Sequence, residues 1–231
     1  MKILRQAQGK ILLVLVILFI IIGAVFYFWP ESEKNSIQTL EDQEEQLLNI
    51  SPPADFNEYE IDRVNWKLGD LKEMYEKDKE DTNFWLGLGN LRNFVRDYQG
   101  AISAYQKCLE INPLNIVANV NIADVYEKKL KDFAKAEKYY QKAIDNYFNN
   151  QDLYNRLARL YYLKMERPNA AEETFLLGLE KTNNYPDLLV GLINFYKQQN
   201  RKEDEIKYIK ILLELYPDNQ LYQDKYSEFI E

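Results

Sequence analysis

A skeleton of aromatic, small and apolar residues returns four times along this chain at intervals of 34 to 35 residues, and no other feature narrows the fold as far. Its clearest copy is Trp85, Leu88 and Gly89, followed by Ala101, Tyr105, Cys108 and a closing Pro113. Spacings of three and four put each set on one face of a helix. Pro113 stands just past the second helix, where it costs no helical hydrogen bond. The skeleton returns as Ile122, Ala123 and Tyr126 with Ala136, Tyr140 and Ala143. It returns again as Tyr154, Leu157, Ala158 and Tyr161 with Ala171, Phe175 and Gly178. The last copy is Leu189, Leu192, Ile193 and Tyr196 with Glu205, Ile209, Leu212 and Pro217. The units divide at 82–115, 116–150, 151–185 and 186–219, and the middle two are expected to carry one extra residue in the turn between their helices. The small residues let two antiparallel helices approach closely, and the aromatics fill the space to the next pair. One such pair cannot bury its apolar side alone, so the units must stack. No alternating runs bounded by Gly-rich turns favour strands.

The skeleton resembles the tetratricopeptide repeat family over residues 82–219. The resemblance implies an all-α fold, a right-handed superhelix of antiparallel helix pairs (an α-solenoid). Departures from the family pattern are Arg92 in place of Tyr, Asn119 in place of an aromatic, Phe148 and Asn183 in place of the closing Pro, and Glu205 in place of Ala. Ile61, Val64, Leu68, Leu71 and Tyr75 are spaced as an amphipathic helix, so 58–81 is read as an N-terminal capping helix. Leu221, Tyr226, Phe229 and Ile230 make 220–231 a C-terminal capping helix over unit four.

Before the repeats, residues 11–29 form an unbroken apolar run without a charge. As a helix, a run of that length spans roughly 28 Å, close to a bilayer's hydrocarbon core. The run exits through Phe26, Tyr27, Phe28 and Trp29 with no Ala-x-Ala site, which favours an uncleaved transmembrane signal anchor over a secretory signal. Lys2, Arg5 and Lys10 precede it in a basic leader (1–10) that contains no acid. The positive-inside bias then puts the N-terminus in the cytoplasm and the repeats across a cell (inner) membrane, in the periplasm or outside the cell. The expectation is a single-pass, membrane-anchored protein of bacterial type, with a eukaryotic organelle anchor whose repeats face the cytosol as the topological alternative. Residues 30–57 read as an acidic flexible linker broken by Pro52-Pro53, with a short helix possible over 37–48.

Charge follows the same division. The chain carries a net −8, but the segment 31–62 holds ten acids and one Lys, and the part from Arg63 onward is close to neutral. No basic stripe exists to track a phosphate backbone, so no nucleic-acid partner is expected. There is no histidine, which removes the commonest general base and metal ligand. Cys108 is the only cysteine, so neither an internal disulfide nor a thiolate metal cluster can form, and it reads as a small core residue. Gly87-Leu88-Gly89 lacks a preceding strand and a third Gly, so it reads as helix packing rather than a dinucleotide loop. No enzyme, no cofactor, no metal and no small-molecule substrate is expected.

The resemblance instead implies binding of protein or peptide segments in the groove lined by the first helix of each unit. Carried over position by position, the groove candidates are Asn83, Leu86, Asn90, Asn93 and Phe94 in unit one. Unit two offers Val117, Val120, Asn121, Asp124 and Lys128; unit three offers Asn155, Arg156, Arg159 and Tyr162; unit four offers Val190, Asn194 and Lys197. Some family members clamp a partner's C-terminal carboxylate with Lys and Asn, then Asn, then Lys and Arg. Here Asn90, Asn121 and Arg156 match, while Leu86 and Asp152 stand at the two lysine places, which weakens such a clamp. Asn90 and Asn121 suit a peptide backbone, and Arg156 and Arg159 an acidic side chain. Tyr105, Tyr126, Tyr140, Tyr161 and Tyr196 sit at repeat core places. The expected role is a scaffold or co-chaperone for envelope or secretion complexes, with a structural subunit that self-associates through its repeats as the alternative.

Overall fold

The computed structural model describes residues 46–229 and divides into two units, Met1–Ser51 and Pro52–Glu231. Of the first unit only residues 46–51 are described, with 46–48 helical. The expected transmembrane helix over 11–29, the basic leader and most of the acidic linker therefore lie outside the described residues. Among the described residues, no helix is long and apolar enough to cross a membrane.

The second unit is built of helices, and no strand occurs among the described residues. In order they are α1 (Glu58–Lys77), α2 (Thr82–Phe94), α3 (Tyr98–Ile111) and α4 (Ile116–Asp124), which runs on into a π-helical turn (Val125–Leu130). Then come α5 (Phe133–Asn146), α6 (Gln151–Lys164), α7 (Pro168–Lys181), α8 (Pro186–Gln198), α9 (Lys202–Leu215) and α10 (Gln220–Tyr226) with a closing 3-10 turn (Ser227–Phe229). The pairs α2/α3, α4/α5, α6/α7 and α8/α9 are the four sequence units, and each pair packs on the next to form a solenoid. Polar side chains start the helices: Asn57 and Glu60 form a reciprocal capping box on α1, and Asp81, Asp97, Asn115, Asp132 and Asn150 cap later ones.

Close approach within a pair depends on the small residues. A Cβ placed on Gly89 would lie 2.3 Å from a ring carbon of Tyr105, so the ring of α3 rests directly on the backbone of α2. Tyr105, Tyr140, Tyr154, Tyr196, Phe84, Phe175 and Phe195 are among the largest fully buried side chains. Tyr126 and Tyr161 are also buried.

The extra residue of units two and three is not in the turn. The turns hold three residues in units one, three and four and two in unit two. The first helix lengthens instead, from 13 residues in α2 and α8 to 14 in α6, and in unit two to nine α-helical residues plus six in the π turn. In units one and four the closing amide, Asp97 or Arg201, donates to the carbonyl five residues back, Arg92 or Tyr196. In units two and three it reaches six back, Asp132 to Tyr126 and Arg167 to Tyr161. One residue is thus absorbed as a wide helical turn, the usual geometry of a π-bulge. Arg96, Lys131, Glu166 and Asn200 then take the left-handed conformation in the four turns, although none is glycine.

Three of the five family departures find local explanations. Arg92 pairs with Asp97, the N-cap of α3, and so ties the two helices of unit one. Asn119 is buried and donates to the Asn115 carbonyl, 3.1 Å away. Glu205 is buried with Lys202 Nζ at 3.5 Å, and that ammonium lies over the Phe229 ring.

The ends differ from expectation. Residues 53–57 are not tether: Phe56 meets the Phe94 ring edge-on at 5.2 Å, and the Asp55 carboxylate accepts both guanidinium nitrogens of Arg96 at 3.1 and 2.9 Å. On α1, Val64 and Leu71 are fully buried but Ile61 is 37% exposed. On α10, Tyr226 is buried whereas Leu221 is 70% exposed, so Leu221 does not cover unit four.

Candidate functional site

The first helices α2, α6 and α8, with the π turn that follows α4, line three open cavities. One of about 500 Å³ lies between α1 and α2 and includes Asn83, Leu86, Asn90 and Phe94. A second, about 290 Å³, is bordered by Lys128, Asn155, Arg156 and Arg159, with Glu127, Tyr140 and Asp152. A third, about 300 Å³, joins Asn155, Arg159 and Tyr162 to Val190 and Asn194. Val117 and Lys197 are exposed but border none of these, and Val120 and Asn93 are half-buried.

Many of the candidates are already engaged with one another. Asn121 Nδ2 donates to Asn90 Oδ1 at 3.2 Å, and the Tyr105 hydroxyl donates to the same oxygen at 2.7 Å. The two amides expected to meet a peptide backbone thus meet each other first. Arg156, expected to face a partner's acid, spends its guanidinium on this chain: Nε donates to Asp152 at 2.6 Å, and Nη1 reaches both Asp124 oxygens at 3.2 and 3.3 Å. Lys128 Nζ donates to Asp124 at 2.8 Å. The Tyr140 hydroxyl faces two carboxylates, Asp124 at 2.5 Å and Glu127 at 2.8 Å. Burial, reinforced by those carboxylates, pushes the Tyr140 pKa far above the ordinary phenol range. Burial works against the charge on Arg156, yet Asp152 and Asp124 hold its pKa above the usual guanidinium value. Tyr162 packs edge-on against Phe195 at 5.2 Å and is part of the core wall more than a free groove residue. Phe94 is shared between Phe56 and the Arg63 guanidinium, 5.0 Å from its centroid.

What stays available is narrower than the sequence suggested. Arg159 is exposed, and no ion pair is found for it among the described residues. Asn155 Oδ1 is buried without a donor on the wall shared by the second and third cavities. Asn83 and Asn194 are exposed amides. Such a row can hold an extended peptide, since each amide carries both a donor and an acceptor. Burial pushes the Cys108 thiol up, away from thiolate chemistry. Among the described residues, no group of acids and cysteine stands close enough to hold a metal ion.

Five residues lining the first cavity escaped the reading of the groove: Gly87 and Leu91 on α2, and Arg63, Trp66 and Lys67 on α1. The signal lay in Trp66, which falls off the apolar stripe of α1 and is 72% exposed. The glutamates under the repeat tyrosines were also missed. The Tyr161 hydroxyl donates to Glu137 and the Tyr196 hydroxyl to Glu172, both at 2.8 Å, with Arg167 and Arg201 stacked on the respective rings at 4.6 Å.

The tetratricopeptide repeat profile matches residues 82–113 and 116–150. The general transcriptional corepressor ssn6 of Schizosaccharomyces pombe is 26% identical over 121 residues, 52% of this chain and 11% of that protein. The corepressor trfA of Dictyostelium discoideum is 23% identical over 135 residues, 58% of this chain and 9% of that protein. The chain therefore spans only about a tenth of these relatives' length. The solved structure of MamA superposes with a TM-score of 0.53 at 16% identity, over 75% of this chain and 99% of that one. A tetratricopeptide repeat protein from Parabacteroides merdae gives 0.52 at 17% identity, over 74% and 71%. At these identities the likeness concerns the fold. The repeat skeleton, the stacked helix pairs and the profile match agree that residues 82–150 are tetratricopeptide repeats.

Proposed function

We propose that this protein is a membrane-anchored scaffold that holds extended segments of partner proteins in the groove of its repeats. The repeats make it a protein-interaction module. The groove reading rests on one observation: open cavities along α2, α6 and α8 present unspent amides and a cation, Asn83, Asn155, Asn194 and Arg159. Support for anchoring is the apolar run 11–29 behind three basic residues. On that topology the repeats stand across a cell membrane, where partners belong to envelope or secretion complexes. Cross-linking in cells, with the intact chain compared with one lacking 82–219, tests the scaffold role: partner recovery should vanish with the repeats. Protease protection of intact cells tests the topology, and digestion of the repeats only after lysis would refute an outward face.

A second reading, a structural subunit that self-associates, draws on the rim of the solenoid. Leu114 and Phe148 are 68% and 62% exposed in successive inter-unit turns, which the hydrogen bond from Asn146 to the Pro113 carbonyl holds together. Sedimentation across a hundredfold concentration range decides it; a strict monomer removes this reading.

A further inference from the structure

We infer that the cavity between α1 and α2 is a subsite for an aromatic side chain flanked by Asp or Glu within a partner peptide, an assignment that rests on the groove reading above. At about 500 Å³ it is the roomiest of the three groove cavities and has ample space for one aromatic ring. The apolar part of its wall is Leu86, Leu91, Phe94 and the indole of Trp66, which is 72% exposed and has no ring packed against it among the described residues; Asn83 and Asn90 add amides. A Cβ on Gly87 would lie 2.8 Å from Leu71 Cδ2, so the glycine lets α1 and α2 close up beneath the cavity.

The charges around it are of one sign. Arg63 and Lys67 border the cavity and no carboxylate does, whereas the second cavity mixes Glu127 and Asp152 with its cations. Lys67 is partly spent on Asp70, at 2.5 Å. Arg63 has no carboxylate partner among the described residues; it lies over Phe94 at 5.0 Å and Tyr59 at 5.8 Å. A guanidinium held over ring faces keeps its forked N–H edge free for a carboxylate. An inserted aromatic ring would add edge-to-face contact with Trp66 and Phe94 and lie beside both cations, which an aliphatic side chain could match only in area. The acid belongs to a side chain rather than to a chain end. The amide pair Asn90–Asn121 carries the groove on from α2 to α4, so a bound segment has a surface to continue along.

The test uses the purified full chain and a fluorescein-labelled peptide, acetylated and amidated, with Glu-Phe-Glu centred in a Gly-Ser frame. Anisotropy should show saturable binding, accompanied by a blue shift of tryptophan emission. Replacing both Glu by Gln, or Phe by Ala, should weaken binding about tenfold, as should Arg63→Gln or Trp66→Ala, with unchanged circular dichroism. Equal binding of the Gln peptide, or indifference to both protein variants, overturns the subsite. If that indifferent binding is then lost in Asn155→Ala or Arg159→Ala, the groove stands without this subsite. Tighter binding of an unamidated Gln-Phe peptide would move recognition to a C-terminal carboxylate and also overturn the assignment. So would absence of binding by the Glu-Phe-Glu probe, leaving the groove to the cross-linking experiment.

Discussion

The N-terminal and middle stretches of the groove are built from equivalent helices yet behave as opposites. Around α1 and α2 the wall carries Leu86, Leu91 and Phe94 and no carboxylate, the indole of Trp66 is exposed, and Arg63 has no carboxylate partner among the described residues. Around α4, α5 and α6, Asp124 alone is shared by Tyr140, Arg156 and Lys128, and Asp152 takes the rest of Arg156. In the middle, charge serves to join neighbouring units. At the N-terminal end Arg63 stands beside a cavity without a carboxylate partner among the described residues. A groove charge is therefore a binding candidate only after its partners within the chain have been counted, because a satisfied ion pair gains little by exchanging one carboxylate for another.

The largest test of this contrast is Tyr140→Ala. It removes a fully buried ring and the hydroxyl between two carboxylates, and should cost about 3–5 kcal/mol in urea unfolding. Gly89→Ala comes next. The added methyl would strike the Tyr105 ring, and overpacking of this sort costs about 1–3 kcal/mol. Asp124→Ala should follow at about 1–2 kcal/mol, because Arg156 and Tyr140 each lose one partner but keep another. A cost as small as that of a surface change would mean the middle network is not structural.

Alkaline pH probes the same contrast. Burial and then Glu137 raise the Tyr161 pKa to about 12, from 10. Between those values the unfolded chain has released the proton and the native one has not, so stability should be constant below pH 10 and fall from there toward pH 12. Tyr161→Phe should flatten part of that fall in the urea midpoint. The smallest effect is expected from Trp66→Ala, within about 0.5 kcal/mol of the parent, since the side chain is mostly solvated. A loss above 2 kcal/mol would show that Trp66 props α1 on the repeats rather than waiting for a partner.

Much of the architecture was legible because helix period and residue size act locally. Gly89 against Tyr105 and Gly178 against Tyr154 could be anticipated from spacing alone, since close helix packing needs a small residue opposite a large one. The extra residue of the middle units was visible, but its place was not. Whether one residue widens a turn or the last turn of a helix depends on how that helix must meet its neighbours. The candidate groove was legible as positions and not as availability. Asn90, Asn121 and Arg156 sit where the pattern put them, but partners 15 to 32 residues away in sequence occupy them.

Residue order by itself determined that helices form in pairs, that four pairs stack, and that neither a histidine nor an internal disulfide is available, because these follow from composition and from spacings within one or two turns. Tertiary structure alone decided which charges are spent and which face a cavity. An ion pair such as Asp124–Arg156 is made between units, at a distance that no local spacing encodes.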